Sequence, residues 1–131
     1  MARLEVLLSP VADGEAFRVA LAALARELGG TFTWLDGRNA SIALTAGPRA
    51  LSVQVLLELR AGAELGLLLS SREGMGSGAP LSGAVLEQLL AGLQAVAPGS
   101  RVRFRSDRDG PICHFFRAET VGRDRECLAA G

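Results

Sequence analysis

The chain has 131 residues, and one compact domain of this size can bury roughly two-thirds of its unfolded surface without a metal or disulfides. Hydrophobic residues make up 49% and charged residues 21%, which excludes a disordered, collagen-like or disulfide-stapled chain. All 14 basic residues are arginine and they balance 14 Asp plus Glu, so a strongly basic nucleic-acid-binding domain is excluded as well.

The apolar stretches of the sequence match neither a signal peptide nor a membrane span. An acidic residue and Pro10 interrupt the first apolar run, which leaves it too short for a signal-peptide core. The longest apolar stretches, 51–59 and 65–69, are far shorter than the roughly 20 residues that span a bilayer. Cys113 and Cys127 match no metal-ligand spacing, and two thiols are too few for a disulfide framework. We therefore expect a cytoplasmic protein with free thiols, no membrane attachment, no metal and no cofactor.

The first predicted elements are a strand and a helix. Residues 3–9 alternate between two faces, as in a half-buried strand, and Pro10 ends the strand. Asp13 is placed to cap a helix that reaches about Leu28, because apolar residues recur there at helical spacing. Two glycines at 29–30 are expected to end this helix.

Residues 31–45 predict a β-hairpin. A two-residue turn would place the aromatic side chains opposite polar groups, so a loop of odd length is favoured. Centring this loop on Arg38 pairs Trp34 with Ile42 and gives Asn39 the left-handed position.

The remaining elements follow in a regular order. Two strongly alternating strands are predicted at 51–60 and 64–70, and a helix from about 80 to 97 follows a glycine-rich loop. A last hairpin joins 101–106 to 112–119 around the turn DRDGP.

The order β-α-β-β-β-β-α-β-β predicts an α+β fold. Each helix has one apolar stripe, so both helices can pack on one face of a curved, mostly antiparallel sheet in a two-layer arrangement. Residues 1–121 are expected to form a single domain, and 122–131 are expected to be a flexible C-terminal tail.

No catalytic constellation is evident. His114 is the single histidine, and the neighbouring Cys113 would point to the opposite face of a strand. Asp107 and Asp109 lie in a predicted turn, and the DRDG segment lacks the downstream ligands of a calcium loop. We therefore expect a protein that is not an enzyme.

The glycine-rich segment 74–78 precedes a helix and could offer backbone N–H groups of Gly76 and Gly78 to a phosphate. It lacks the G-K-[ST] ending of a P-loop. A simple connector is the favoured interpretation, and anion binding stays open.

The segment RVRFR is the most basic feature. Strand alternation would place Arg101, Arg103 and Arg105 on one face at about 7 Å spacing. His114 and Phe116 of the next predicted strand would lie beside this row, which is a candidate patch for anions or nucleic acid. The last 31 residues carry only +2, however, and charge on an edge hairpin also prevents edge-to-edge pairing. Nucleic-acid binding is therefore an alternative hypothesis.

A candidate partner surface lies on the opposite face of the predicted sheet, where Leu7, Leu35, Leu56 and Leu68 would cluster among small or weakly polar residues. No motif identifies a family. The leading hypothesis is a protein-binding module, such as an adaptor, chaperone or immunity-type protein, that self-associates through this face. A small-ligand binder, with a pocket between sheet and helices near Trp34 and the glycine-rich loop, is a further alternative.

Overall fold

The computed structural model describes residues 2–74, 76 and 78–109. Its elements in chain order are β1 (Ala2–Ser9), α1 (Glu15–Glu27), β2 (Thr31–Trp34), β3 (Asn39–Ala46), β4 (Leu51–Arg60), β5 (Glu64–Ser71), α2 (Pro80–Val96), β6 (Arg101–Arg105) and α3 (Ser106–Asp109). The predicted strand at 112–119 and the predicted tail at 122–131 lie outside the described residues.

The strands of the described part form one antiparallel sheet in the order β2-β3-β4-β5-β1-β6. Helices α1 and α2 contribute buried side chains to the same core as one face of this sheet. The predicted α+β class, with two long helices over one face of an antiparallel sheet, is confirmed. No helix of the described residues combines the length and apolarity needed to cross a membrane.

Strand alternation decides which side chains enter the core. In β4, Val53, Val55 and Leu57 are buried, whereas Leu56 between them is 41% exposed. Each buried valine or leucine contributes about 1.5–3 kcal/mol relative to an exposed one. Within the described residues, the sheet therefore has one apolar face under the helices and an opposite face, called the open face, that α1 and α2 do not cover.

Helix α1 begins one residue later than a cap at Asp13 would require. The N-cap position is Gly14, and no side chain caps the helix. The Asp13 carboxylate instead accepts two hydrogen bonds from Arg18, at 2.9 and 3.0 Å. The predicted cap is therefore wrong, because a charged guanidinium competes successfully for the carboxylate. The expected glycine stop is present, since Gly29 has a φ of +79°.

The hairpin of β2 and β3 has an odd loop, as predicted, but its centre is Gly37. Trp34 pairs with Ala40 and not with the predicted Ile42. The register therefore differs from the predicted one by two residues, and a shift of two leaves Trp34 on the same face of the sheet. Asp36 closes the loop, because its carboxylate accepts the N–H groups of Arg38 and Asn39 at 2.7 and 2.8 Å. Asn39 belongs to β3 and does not take the left-handed conformation.

The last described residues form a helical turn where a hairpin turn was predicted. The carboxylate of Asp109 in α3 accepts a hydrogen bond from the backbone N–H of Arg105 at the end of β6, at 2.9 Å. This helical turn occupies 106–109, the first part of the segment expected to link the two strands of the hairpin.

Candidate functional site

The open face of the sheet contains an area without charged side chains. Two rows of paired residues cross β2, β3, β4 and β5, one running Thr31, Ala43, Gln54, Ser70 and the other Thr33, Ser41, Leu56, Leu68. Thr45 and Ser52 form a further pair on the same face. We call these ten residues the uncharged face.

Three of the predicted surface leucines meet at one end of this face. Leu35, Leu56 and Leu68 line a depression of about 270 Å³, together with Asn39 and Glu58. Leu35 is 57% exposed and Leu56 is 41% exposed. Leu56 and Leu68 are direct cross-strand partners, so their contact follows from the register of β4 and β5.

Leu7 does not belong to this exposed surface. It lies on the same side of the sheet, paired with Gly66 and Phe104, but it is only 3% exposed. The prediction that Leu7 is part of an accessible patch is therefore wrong. Alternation identified the face correctly, but it does not predict how much of each side chain on that face is exposed.

Charged residues of both signs border the uncharged face. Arg3 and Glu5 of β1 extend its two rows beyond β5, and their side chains approach to 3.7 Å. Along the strand direction, Glu58 and Arg60 follow Leu56 on the same face of β4, and their side chains approach to 3.4 Å. Each border therefore carries a positive and a negative group side by side.

The predicted row of three arginines is broken. The β1–β6 register shifts between Leu7 and Leu8, which leaves Arg103 without a cross-strand partner and pairs Arg105 with the core residue Val6. A bulge of this kind changes which side chains share a face. The prediction that Arg101, Arg103 and Arg105 lie on one face of the strand is therefore wrong.

The three arginines accordingly have different surroundings. Arg105 forms ion pairs with Glu87 of α2 and Asp107 of α3, and the hydrogen bonds that Arg105 donates to the Asp107 carboxylate raise the pKa of Arg105. Arg103 donates to the Ser9 hydroxyl at 3.0 Å, and Arg101 lies opposite Ser9. His114 and Phe116, the other two residues of the predicted patch, lie outside the described residues.

An internal carboxylate occupies the start of α2. Glu73 accepts the backbone N–H groups of Leu81 at 2.9 Å and Ser82 at 2.7 Å. Desolvation favours a higher pKa for Glu73, but the hydrogen bonds from Leu81 and Ser82 together lower it below the ordinary value. The position that a phosphate would take at this helix end is therefore filled by the chain itself.

Two clefts of the described residues differ in position from the pocket predicted near Trp34 and the glycine-rich loop, since neither of them is lined by those residues. One apolar groove of about 480 Å³ lies between α1 and the end of α2, next to Phe17 and Val96. A more polar cleft of about 600 Å³ includes Arg18, Arg38 and Arg60. No sequence pattern indicates this arginine cluster, because its members come from three separate elements.

The described residues contain no cluster of three His, Cys, Asp or Glu side chains that could hold a metal ion. Both cysteines lie outside the described residues. No protein-family model matches the chain, and comparison with curated proteins gives no significant match. The functional argument therefore depends on the surfaces described above.

Proposed function

We propose that the chain is a non-catalytic protein-binding module that pairs with a second copy of itself through the uncharged face. The observation that carries this proposal is the uncharged face itself, ten residues on four adjacent strands. Protein surfaces usually carry about 25–35% charged residues of both signs. An area of this size without any charge is typical of a surface that is covered in the assembled protein.

The size of the side chains also favours a sheet as the covering surface. Most residues of the uncharged face are Ser, Thr or Ala, and such short side chains allow two sheets to pack face to face at about 10 Å. Leu56 and Leu68 supply the apolar contact, and Leu35 at the edge of the depression can extend it.

The borders favour a second copy over an unrelated partner. A two-fold axis through the uncharged face brings each surface against itself, so a self-complementary charge pattern is required. The paired charges at both borders, Arg3 with Glu5 and Arg60 with Glu58, meet this requirement. A positive group of one copy can then face a negative group of the other.

The oligomeric state of the full chain tests this proposal. Size-exclusion chromatography with light scattering, over a range of protein concentrations, is expected to show a dimer for the wild type. The double substitution Leu56→Glu, Leu68→Glu is expected to give a monomer with an unchanged circular dichroism spectrum, because it places two charges in the contact.

Val19 provides the matched control, since it is an exposed apolar residue on α1, away from the open face. The Val19→Glu variant is expected to remain a dimer. A wild type that is monomeric at all concentrations, or a double variant that dimerises as well as the Val19→Glu variant, would overturn the proposal.

A further inference from the structure

A second surface feature lies at the end of the sheet, in a cleft of about 600 Å³. The cleft is formed by the segment after β1, the β2–β3 loop and the β4–β5 turn. Its charged lining residues are Arg18, Arg38, Arg60, Asp13 and Glu64. The lining therefore has three positive and two negative groups, a net charge of +1, in a chain whose overall charge is zero.

Arg60 has the least satisfied of these guanidinium groups. Its side chain is 15% exposed, and its Nε faces Glu58 at 3.4 Å, which is longer than a good charged hydrogen bond. Its Nη1 atom is buried and has no hydrogen-bond partner among the described residues. A buried donor of this kind is costly unless an acceptor satisfies it. Arg60 lines the cleft, so a small rotation of its side chain would bring this nitrogen to an anion bound there.

The other two arginines are held in place by the chain. Arg18 is fixed by two hydrogen bonds to Asp13 and stacks over the Trp34 ring at 4.9 Å. The carbonyl of Arg38 accepts the Leu59 N–H at 2.8 Å, which ties the β2–β3 loop to β4 beside Arg60. The Arg18 guanidinium is therefore fixed, whereas the bond at Arg38 fixes only the backbone that carries its exposed side chain.

Nearby acidic groups have other hydrogen-bond partners. The Asp36 carboxylate is occupied by the N–H groups of Arg38 and Asn39, and Asp13 is occupied by Arg18. The hydrogen bond from Arg18 lowers the pKa of Asp13, so this pair stays charged at neutral pH. Glu64, opposite Arg60 in the sheet, is the remaining acidic group of the lining.

We propose that this cleft binds a small oxyanion, a phosphate or carboxylate group, with Arg60 and Arg38 as its direct ligands. Arginine is suited to this role because its planar N–H groups match two oxygens of a carboxylate or phosphate. The proposal does not rest on self-association through the uncharged face.

Inorganic phosphate and acetate, titrated separately into the full ¹⁵N-labelled chain at constant ionic strength, provide the test. Saturable amide shifts are expected at Arg38 and in the β4–β5 turn at 61–63. Saturation by both anions shows that the site accepts a phosphate or a carboxylate group. Saturation by phosphate alone shows that it accepts only phosphate. Shifts that stay linear for both anions overturn the proposal.

Substitutions separate a specific site from general charge. Arg60→Gln and Arg38→Gln are each expected to weaken binding roughly tenfold or more, the usual effect of losing a charged hydrogen bond. Arg49→Gln is the control, because Arg49 is an exposed arginine in the β3–β4 turn outside the cleft. If Arg60→Gln fails to fold, the exposed Arg38 still provides the test. Equal affinities of the Arg38→Gln and Arg49→Gln variants would refute the site.

Discussion

Gly92 of α2 lies directly against Leu24 of α1, and a Cβ atom added at position 92 would overlap the leucine side chain. Leu24 is buried in the core, so its side chain has little room to move aside. The close approach of the two helices therefore depends on the absence of a side chain at position 92.

The first prediction compares two glycines of the same helix. Gly92→Ala is expected to lower the free energy of unfolding, because overpacking costs about 1–3 kcal/mol and exceeds the gain in helix propensity. At Gly83 a Cβ would meet nothing within 4 Å, so Gly83→Ala is expected to stabilise by about 0.5–1 kcal/mol. Urea denaturation of both variants checks this, and equal stabilisation would show that the helices can separate freely.

The second prediction concerns the carboxylate at the start of α2. Glu73→Gln is expected to lower the melting temperature at pH 7, because an amide oxygen is a weaker acceptor for the N–H groups of Leu81 and Ser82. The control is Glu27→Gln, at the exposed end of α1, which is expected to change the melting temperature less than Glu73→Gln does. Glu87 cannot serve as the control, because it forms an ion pair with Arg105.

The pH dependence of this effect has a definite sign. Because the pKa of Glu73 is lower in the folded chain than its ordinary value of 4.5, its contribution is fully present above pH 4.5. The contribution is lost as the pH falls through the folded-state pKa. The difference in melting temperature between wild type and Glu73→Gln is therefore expected to shrink below pH 4.5. A difference that stays constant down to pH 3 would contradict the assignment.

The third prediction separates Arg105 from its neighbours on β6. Arg105 links β6 to α2 and α3 through Glu87 and Asp107, so Arg105→Gln is expected to destabilise the fold by about 1–2 kcal/mol. Arg101→Gln, at an exposed position, is expected to stay within about 0.5 kcal/mol of wild type. Chemical denaturation of both variants checks the difference. Equal effects would mean that Arg105 behaves as an ordinary surface arginine.

Local periodicity in the sequence was sufficient to predict most of the fold. Alternation along β4 and β5 gave the strands and their buried faces, and the glycine at 29 gave the end of α1. These features depend on residues that are close in sequence.

The errors arose where distant residues decide the outcome. The bulge between β1 and β6 reverses the expected side of Arg105, and Leu7 is buried although it lies on the face that was expected to be exposed. The cleft of Arg18, Arg38 and Arg60 likewise forms only after three elements meet at the end of the sheet. Sequence patterns indicate faces, but they do not indicate which faces become neighbours.

The last prediction tests the uncharged face with a nearly isosteric change. Gln54 lies in its first row, between Ala43 and Ser70. Gln54→Glu adds one negative charge with almost no change in shape, and a two-fold interface would bring that charge close to its own copy. The dimer dissociation constant is therefore expected to rise at pH 7, by about tenfold for each 1.4 kcal/mol of repulsion.

Lowering the pH to 4 is expected to weaken the effect, because most of the introduced carboxyl groups are then protonated. Gln88→Glu on the exposed side of α2 is the matched control, and its dissociation constant is expected to equal that of the wild type at every pH. Sedimentation equilibrium at pH 7 and pH 4 measures these constants. If Gln54→Glu and Gln88→Glu dimerise equally at pH 7, the self-association surface lies elsewhere on the molecule.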